Sequence, residues 1–424
     1  MVSLVRDGVI SPLELVDAHL GQIAHRNPEL NAFVQVFDEQ ARADASALVR
    51  GDRRGLLHGV PVTVKDSFDI AGQPTRVGSM SRSETCALHD ATAVARLRAA
   101  GAIVIGRTNT SELLRDYECE NAITGRTHNP WNLLRTPGGS SGGEAAAIAT
   151  YCSAGGIASD GGGSIRIPAH FCGIAGLKPT PGRISGSGHF PSLGHPAGLV
   201  TTVGPMARTA KDLRLLFSAL TGYDSQDPFS APVPLREPHL SALRIGVWER
   251  FYDVPVEAEI ADAVSRAGVM LDAQGFIVDA FEPRGMERAP NVWAFLFGQW
   301  AVKPAEYTGE QVLLNLAARD RMRAALLRQM EDVAAIVMPV CGITAFRHGE
   351  RKWQVGEKEI GMFQMAMPAV VANVLGLPAV ALPVMMSSEG LPIGVQLMGR
   401  PYEDELLLEI AVRLEEARGV WTGP

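Results

Sequence analysis

Three stretches between residues 59 and 106 constrain the fold of this chain most. GVPVTVKD (59–66) is an apolar run of strand length with a lysine near its end. ATAVARLRAAG (91–101) follows with helical spacing, and AIVIG (102–106) is a second apolar run. Short apolar runs bounded by Gly and Pro read as buried strands, and a helix between two of them packs onto the sheet they form. The pattern returns further on. LRIGVW (243–248) and FIVDAF (276–281) are strands around the helix PVEAEIADAVSRAGVMLDAQG (255–275). AAIVMPV, PAVALPV and LPIGVQLMG add strands, and EDELLLEIAVRLEEAR closes the chain as an amphipathic helix. The fold class is therefore α/β.

Helix signals refine this reading. Ser11-Pro12-Leu13-Glu14 has capping-box spacing with Pro at the first helical position, so a helix should run to about Arg26. A second is expected over DEQARADASALVRG (38–51), and Asp90 is placed to cap the helix that follows it. DPFSAPVPLREP (227–238) is either a linker or a surface loop of one domain, and the loop is the better reading.

The net charge of −7 argues against a nucleic-acid footprint, which needs a basic face. Five cysteines (Cys86, Cys119, Cys152, Cys172, Cys341), odd in number and without a CxxC pair, fit free thiols in a reducing compartment. The polar, amphipathic N-terminus does not read as a leader. The longest apolar stretch, 369–386, is interrupted by Asn373, Gly376, Pro378 and Pro383 and reads as a buried helix, turn and strand rather than a membrane span. A cytoplasmic protein without a membrane partner is expected.

Glycine, at 44 residues, clusters around particular serines. TPGGSSGGEAAA (136–147) matches the G-x-S-x-G nucleophile elbow twice, on Ser140 and on Ser141. The elbow requires a strand immediately before the serine, and NPWNLLRTP is turn chemistry instead. A flexible Gly/Ser loop would not explain the helix pattern that follows directly. A phosphate cradle would carry G-K-[ST] or G-x-G-x-x-G, both missing here. A second cluster, ASDGGGSIRIPAHFCGIAGLKPT (158–180), sets three glycines before Ser164. Successive backbone N–H groups could converge there on one point, as in an oxyanion hole, although a tight turn would have the same sequence. Lysines are few, so Lys65 in an apolar strand asks for an explanation. Burial would lower its pKa and make it a base. No lysine has a serine three residues before it, so any Ser–Lys partnership must come from the fold.

Taken together, GVPVTVKD, GGSSGGEAAAIA and SDGGGSIRIPAHFCGIAGLKPT resemble the amidase signature family of serine hydrolases. ISPLELVDAHL, NAFV, GRTNTSE, NPW and LGLPAVALPV…LPIGVQLMG extend the resemblance over most of the chain. Residues 225–365 are the least recognisable. The resemblance implies a large mixed central β-sheet covered by α-helices on both sides, in a single domain spanning 1–424. Within it the signature core covers about 55–220, and a variable substrate-cleft region about 225–365.

It also implies a Ser–cis-Ser–Lys triad. Ser164 is then the acyl-accepting nucleophile, Ser140, on a cis peptide after Gly139, the proton relay, and Lys65 the base. The N–H groups of Gly161, Gly162, Gly163 and Ser164 form the oxyanion hole. Ser141, Asp160 and Arg166 support the loop, although Asp160 and Arg166 read equally well as a structural ion pair. No cofactor or metal is called for. One departure stands out: many members carry a hydrophobic residue where this chain has Gly161, which would leave room, or flexibility, beside the acyl pocket.

The expected partner is a small-molecule amide or carbamate, with a homodimer left open. RDYECEN (115–121) is expected to line the cleft. NVWAFLFGQWAVKP (291–304) and MFQMAMPAV (362–370) are core by composition, yet they fall in or beside the region that selects substrate. Their apolar character points to apolar or aryl amides, with carbamates (a urethanase activity) within reach of the same triad. Two rivals are the glutaminase subunit of a tRNA-dependent amidotransferase and a non-catalytic binding protein. Loss of Lys65, Ser140 or Ser164 would mark the latter, and all three are present.

Overall fold

The computed structural model describes residues 1–49, 55–82, 84–300 and 304–424. Eleven strands form one mixed sheet. They are β1 (Phe33–Val36), β2 (Pro61–Lys65), β3 (Ile103–Thr108), β4 (Gly155–Asp160), β5 (Ala175–Lys178) and β6 (Thr202–Ala207). The chain continues through β7 (Arg244–Val247), β8 (Ile277–Ala280), β9 (Ala335–Pro339), β10 (Ala379–Met386) and β11 (Pro392–Gly399). Their order across the sheet is β1-β3-β2-β4-β6-β5-β10-β11-β9-β7-β8. Strands from before and after the Pro-rich stretch thus belong to one sheet, and that stretch is tied back by Ala231 N–H donating to the Gly182 carbonyl at 3.0 Å.

The sheet is buried on both faces, as the apolar runs require. Helices Thr92–Ala99, Ala210–Leu220, Ala258–Ala273 and Asp404–Arg418 pack on one face, into a core with Val62, Val64, Ile157 and Val395. Helices Gly142–Ala149, Arg166–Cys172 and Met362–Val374 share clusters with residues of the other face. Period-2 alternation then decides where β2 sends its polar side chains. Val62 and Val64 enter the first core, so Thr63 and Lys65 point to the opposite face, toward Gly142–Ala149. β2 pairs in parallel with both β3 and β4, which brings the carboxyl ends of all three strands to one edge. Open α/β sheets gather their ligand sites at such ends.

Local expectations hold with two adjustments. The Ser11 capping box forms, with Glu14 N–H donating to Ser11 Oγ at 3.2 Å and Ser11 N–H to Glu14 Oε2 at 2.8 Å. Its helix runs past Arg26 to Leu30 and ends at Asn31, in the left-handed region at φ 52°. Asp90 does not cap the next helix: its carboxylate accepts from Ala71 N–H at 2.8 Å and pairs with Arg98 at 3.1 Å. The helix expected over 38–51 is present as Asp38–Val49, and Arg50 and Gly51 lie outside the described residues. Of the cysteines, four are buried and Cys86 is exposed, all five as free thiols. No helix among the described residues is long and apolar enough to cross a membrane.

Candidate active site

Lys65 ends β2 with no solvent exposure. Its Nζ lies 2.6 Å from Ser140 Oγ, 2.8 Å from Ser141 Oγ and 3.4 Å from Ser159 Oγ. Burial lowers its pKa from 10.5 to about 7, while Cys119, Asp160 and Glu144 draw it back up. Glu144, beneath it, accepts from Thr63 Oγ1 at 2.5 Å and Thr108 Oγ1 at 2.7 Å, and burial raises its pKa to about 7. Lys178 in β5 is equally buried and also lowered to about 7, so burial alone does not single out Lys65. The difference is in the partners. Lys178 Nζ donates to the Pro179 carbonyl at 3.0 Å, whereas Lys65 meets three hydroxyls.

The run GGSSGG is irregular up to Ser141 and then starts the helix Gly142–Ala149. The Gly139–Ser140 peptide is cis. Thr110 Oγ1 donates to the Ser140 carbonyl at 2.8 Å, and Ser141 N–H donates to the Ser164 carbonyl at 3.3 Å, joining the two serine segments. No strand precedes Ser140, which removes the nucleophile-elbow alternative there. Ser164 instead lies four residues past the end of β4, after Gly161–Gly163.

Ser164 is half-buried in a run whose neighbours from Ala158 to Phe171 are all buried. Gly163 takes φ 107°, a turn open to glycine at little cost, and carries the chain from β4 into Arg166–Cys172. Asp160, at the end of β4, organises this turn. Its carboxylate accepts from Gly163 N–H at 2.7 Å and Ile165 N–H at 3.2 Å, and pairs with Arg166 Nε and Nη2 at 3.0 Å each. Although burial works against the charged form, Arg166 and Asn373 hold the carboxyl well below the usual range. Arg166 also donates to the Ala369 carbonyl and Gln396 Oε1, and Asn373 donates to Asp160. Asp160 and Arg166 are thus both the ion pair and the loop support that the sequence left as alternatives.

This geometry corrects the four-donor oxyanion hole. Gly163 N–H is committed to Asp160, which leaves Gly161, Gly162 and Ser164, whose N–H groups have no acceptor among the described residues. Two side chains fix the glycine carbonyls. Trp293 Nε1 donates to the Gly161 carbonyl at 2.6 Å, and Tyr117 Oη donates to the Gly162 carbonyl at 2.7 Å. A trans peptide points its C=O and N–H in opposite directions, so Trp293 also sets where the Gly162 N–H points.

A cavity of about 630 Å³ reaches Ser140, Ser159, Gly161 and Ser164 and is walled by Leu114, Phe190, Trp293 and Phe297. The expectation of extra room at Gly161 is overturned. A Cβ there would lie 2.7 Å from Thr201 Oγ1 and 2.8 Å from Phe297 Cε2, so these residues fill the space. Trp293 stacks on Phe297 at 5.2 Å and on Phe363 at 6.2 Å between ring centroids.

From 115–121, Arg115 lines the cavity and Tyr117 braces the loop, while Glu118 turns away to Arg351. From 291–304, Trp293, Phe297 and Gly298 reach the cavity, and residues 301–303 lie outside the described residues. In 362–370, Met365, Ala366 and Ala369 are core.

Sequence reasoning missed Ser159, His189, Asn373 and Gln396 as parts of this assembly. Asn373 and Gln396 did carry a signal, as polar side chains inside otherwise apolar runs. Among the described residues no group of three or more His, Cys, Asp or Glu could hold a metal ion.

A buried lysine among hydroxyls, beside a half-buried serine and unpaired backbone N–H donors, defines a site suited to acyl transfer on an α/β sheet. The chain belongs to the Amidase family, whose model matches residues 14–303 and 287–408. It is 32% identical over 466 residues to a glutamyl-tRNA(Gln) amidotransferase subunit from Syntrophobacter fumaroxidans, spanning 96% of this chain and 94% of that one. Among solved structures it resembles 6-aminohexanoate cyclic dimer hydrolase complexed with substrate, at TM-score 0.87 and 30% identity, covering 100% of this chain and 97% of the other. A bacterial aryl acylamidase of the amidase signature enzymes matches at TM-score 0.87 and 25% identity over 99% and 95%. The family supports a hydrolase of C–N bonds.

Proposed function

We propose that this protein hydrolyses small apolar or aryl amides, with aryl carbamates within its chemical range, through an acyl-enzyme on Ser164. The observation that carries the reading is the cavity. Leu114, Phe190, Trp293 and Phe297 give it apolar walls beside the neutral polar side chains of Ser192, His195 and Thr201, and Arg115 is the one lysine, arginine or carboxylate side chain lining it among the described residues. A glutamine-sized zwitterion would ask for more charged partners than that.

In the scheme, Ser164 Oγ attacks the substrate carbonyl carbon while its proton passes to Ser140, and the Ser140 proton passes to neutral Lys65. Among the described residues no hydrogen bond joins the Ser140 and Ser164 hydroxyls, and catalytic contacts of this kind commonly tighten only with substrate in place. The N–H groups of Gly161, Gly162 and Ser164 take the negative charge that develops on oxygen. The proton returns through Ser140 to the leaving amine as the C–N bond breaks. Water then attacks the ester with Lys65 again accepting a proton through Ser140, and that proton returns to Ser164 Oγ as the acyl–oxygen bond breaks and the acid leaves. A carbamate would release an amine, an alcohol and carbon dioxide.

A second reading, a glutaminase working together with partner chains, is favoured by the curated relatives, which are named as glutamyl-tRNA(Gln) amidotransferase subunits. A panel of aryl anilides, primary amides, glutamine and aryl carbamates separates the two, run with wild type and Ser164→Ala. Ser164-dependent amine release from the apolar compounds is the expected result. Turnover of glutamine alone, or only after other chains are added, would give the second reading.

A further inference from the structure

His189 comes from the loop between β5 and β6, outside the segments that carry Ser140 and Ser164, and lines the same cavity as Ser164. Its Nδ1 lies 2.9 Å from the Pro191 carbonyl oxygen and its Nε2 lies 2.9 Å from Ser159 Oγ. The ring is held edge-on against Phe68 at 5.0 Å. A carbonyl only accepts, so Nδ1 carries the ring proton. Burial keeps the imidazole neutral, lowering its pKa to about 3, so Nε2 presents a lone pair. Ser159 must then donate its hydroxyl proton to Nε2, and only lone pairs of its oxygen remain for Lys65 Nζ, 3.4 Å away.

A neutral amine has two N–H donors and one lone pair, and Lys65 Nζ faces three hydroxyls. With Ser159 fixed as an acceptor, one N–H is directed there, and one N–H and the lone pair remain for Ser141 and Ser140; the relay scheme above needs the N–H on Ser141. The lone pair is left for the nearest oxygen, Ser140. We propose that His189, acting through Ser159, is a positioning residue that sets the direction of the hydrogen bonds around Lys65 and aims the amine lone pair at Ser140. The inference rests on the Ser164–Ser140–Lys65 scheme above. Without His189 the Ser159 hydroxyl could turn and donate to Nζ, competing with the proton Lys65 should receive. That competition would also favour the neutral amine. The other titratable groups acting on Nζ are Cys119, Asp160 and Glu144, and Lys65 is the charged group acting on His189.

The test uses the full chain with an aryl anilide turned over by the wild type. His189→Phe keeps the ring volume and loses both nitrogens; His189→Gln keeps an acceptor and a donor. His189→Phe should lower kcat about tenfold with KM within about twofold, and move the acidic limb of kcat/KM to lower pH. His189→Gln should recover kcat to within about threefold of wild type and restore the limb. Ser159→Ala removes both the acceptor and the hydroxyl that would turn, so the double variant should lose no more than Ser159→Ala alone. Wild-type kcat and limb position in His189→Phe would overturn the inference. So would a loss shared equally by His189→Gln with an unmoved limb, or fully additive losses in the double variant. If Ser164→Ala and Lys65→Ala keep their activity, the underlying scheme fails instead, so the two failures are told apart.

Discussion

The lysine–serine nest and the aromatic wall face each other across one cavity, and they are built in opposite ways. The nest is assembled mainly from strand ends and glycine turns between residues 61 and 172, braced by His189, Asn373 and Gln396, with Asp160 and Arg166 paired at no solvent exposure. The wall draws Trp293 and Phe297 from the 225–365 region, and they meet the nest through one indole N–H and through packing on Gly161 and Gly162. The buried lysine thus sits at the end of a sheet strand among its hydroxyls, while Trp293 and Phe297 come from a separate segment that makes no hydrogen bond to Lys65 among the described residues. The contact at Gly161 shows the two halves fitted to each other: the side chain missing from the loop is replaced by a ring from the wall.

The largest effects are expected in the nest. Lys65→Ala should cost at least about 10³-fold in kcat/KM at neutral pH. In the wild type, kcat/KM should rise with pH through about 7 and level above it, because the neutral amine is the base and burial has lowered its pKa to that value. A profile flat from pH 5 to 9 would remove Lys65 from the role. Arg166→Gln leaves the Asp160 carboxylate buried without its counter-charge and should destabilise the fold by about 3–5 kcal/mol in urea unfolding. A change below about 1 kcal/mol would mean that the pair is dispensable.

The junction between the regions gives the next test. Gly161→Ala drives a methyl into Phe297 and Thr201 and should cut kcat about tenfold or more, whereas the Gly161→Ala/Phe297→Ala double variant should recover most of the loss. No recovery would mean that Thr201, not the ring, is what the methyl offends. The smallest effect is expected in the wall itself. Trp293→Phe keeps an aromatic ring for the stack but loses the N–H that holds the Gly161 carbonyl, so kcat should fall about three- to tenfold with KM nearly unchanged. A change confined to KM would assign Trp293 to substrate contact alone.

Much of the nest was legible in the sequence because its parts are local. A lysine in an apolar strand and glycines packed around Ser140 and Ser164 are features of short windows, and strand alternation decides which face they share. What the sequence could not show was direction. The Gly163 N–H looked like any other donor until Asp160 proved to take it. The room expected at Gly161 was filled from over a hundred residues away, and no short window pairs Gly161 with Phe297. His189 resembled any other histidine, since its partners are a carbonyl two residues on and a serine 30 residues back.

The central claim is that acyl transfer passes through Ser164, and intact-mass measurement after brief exposure to an aryl carbamate or activated aryl ester tests it most directly. The account predicts one acyl or carbamoyl adduct per chain in the wild type, mapped to the peptide containing Ser164 and missing in Ser164→Ala. An adduct on any other residue, or one that persists in Ser164→Ala, would contradict it.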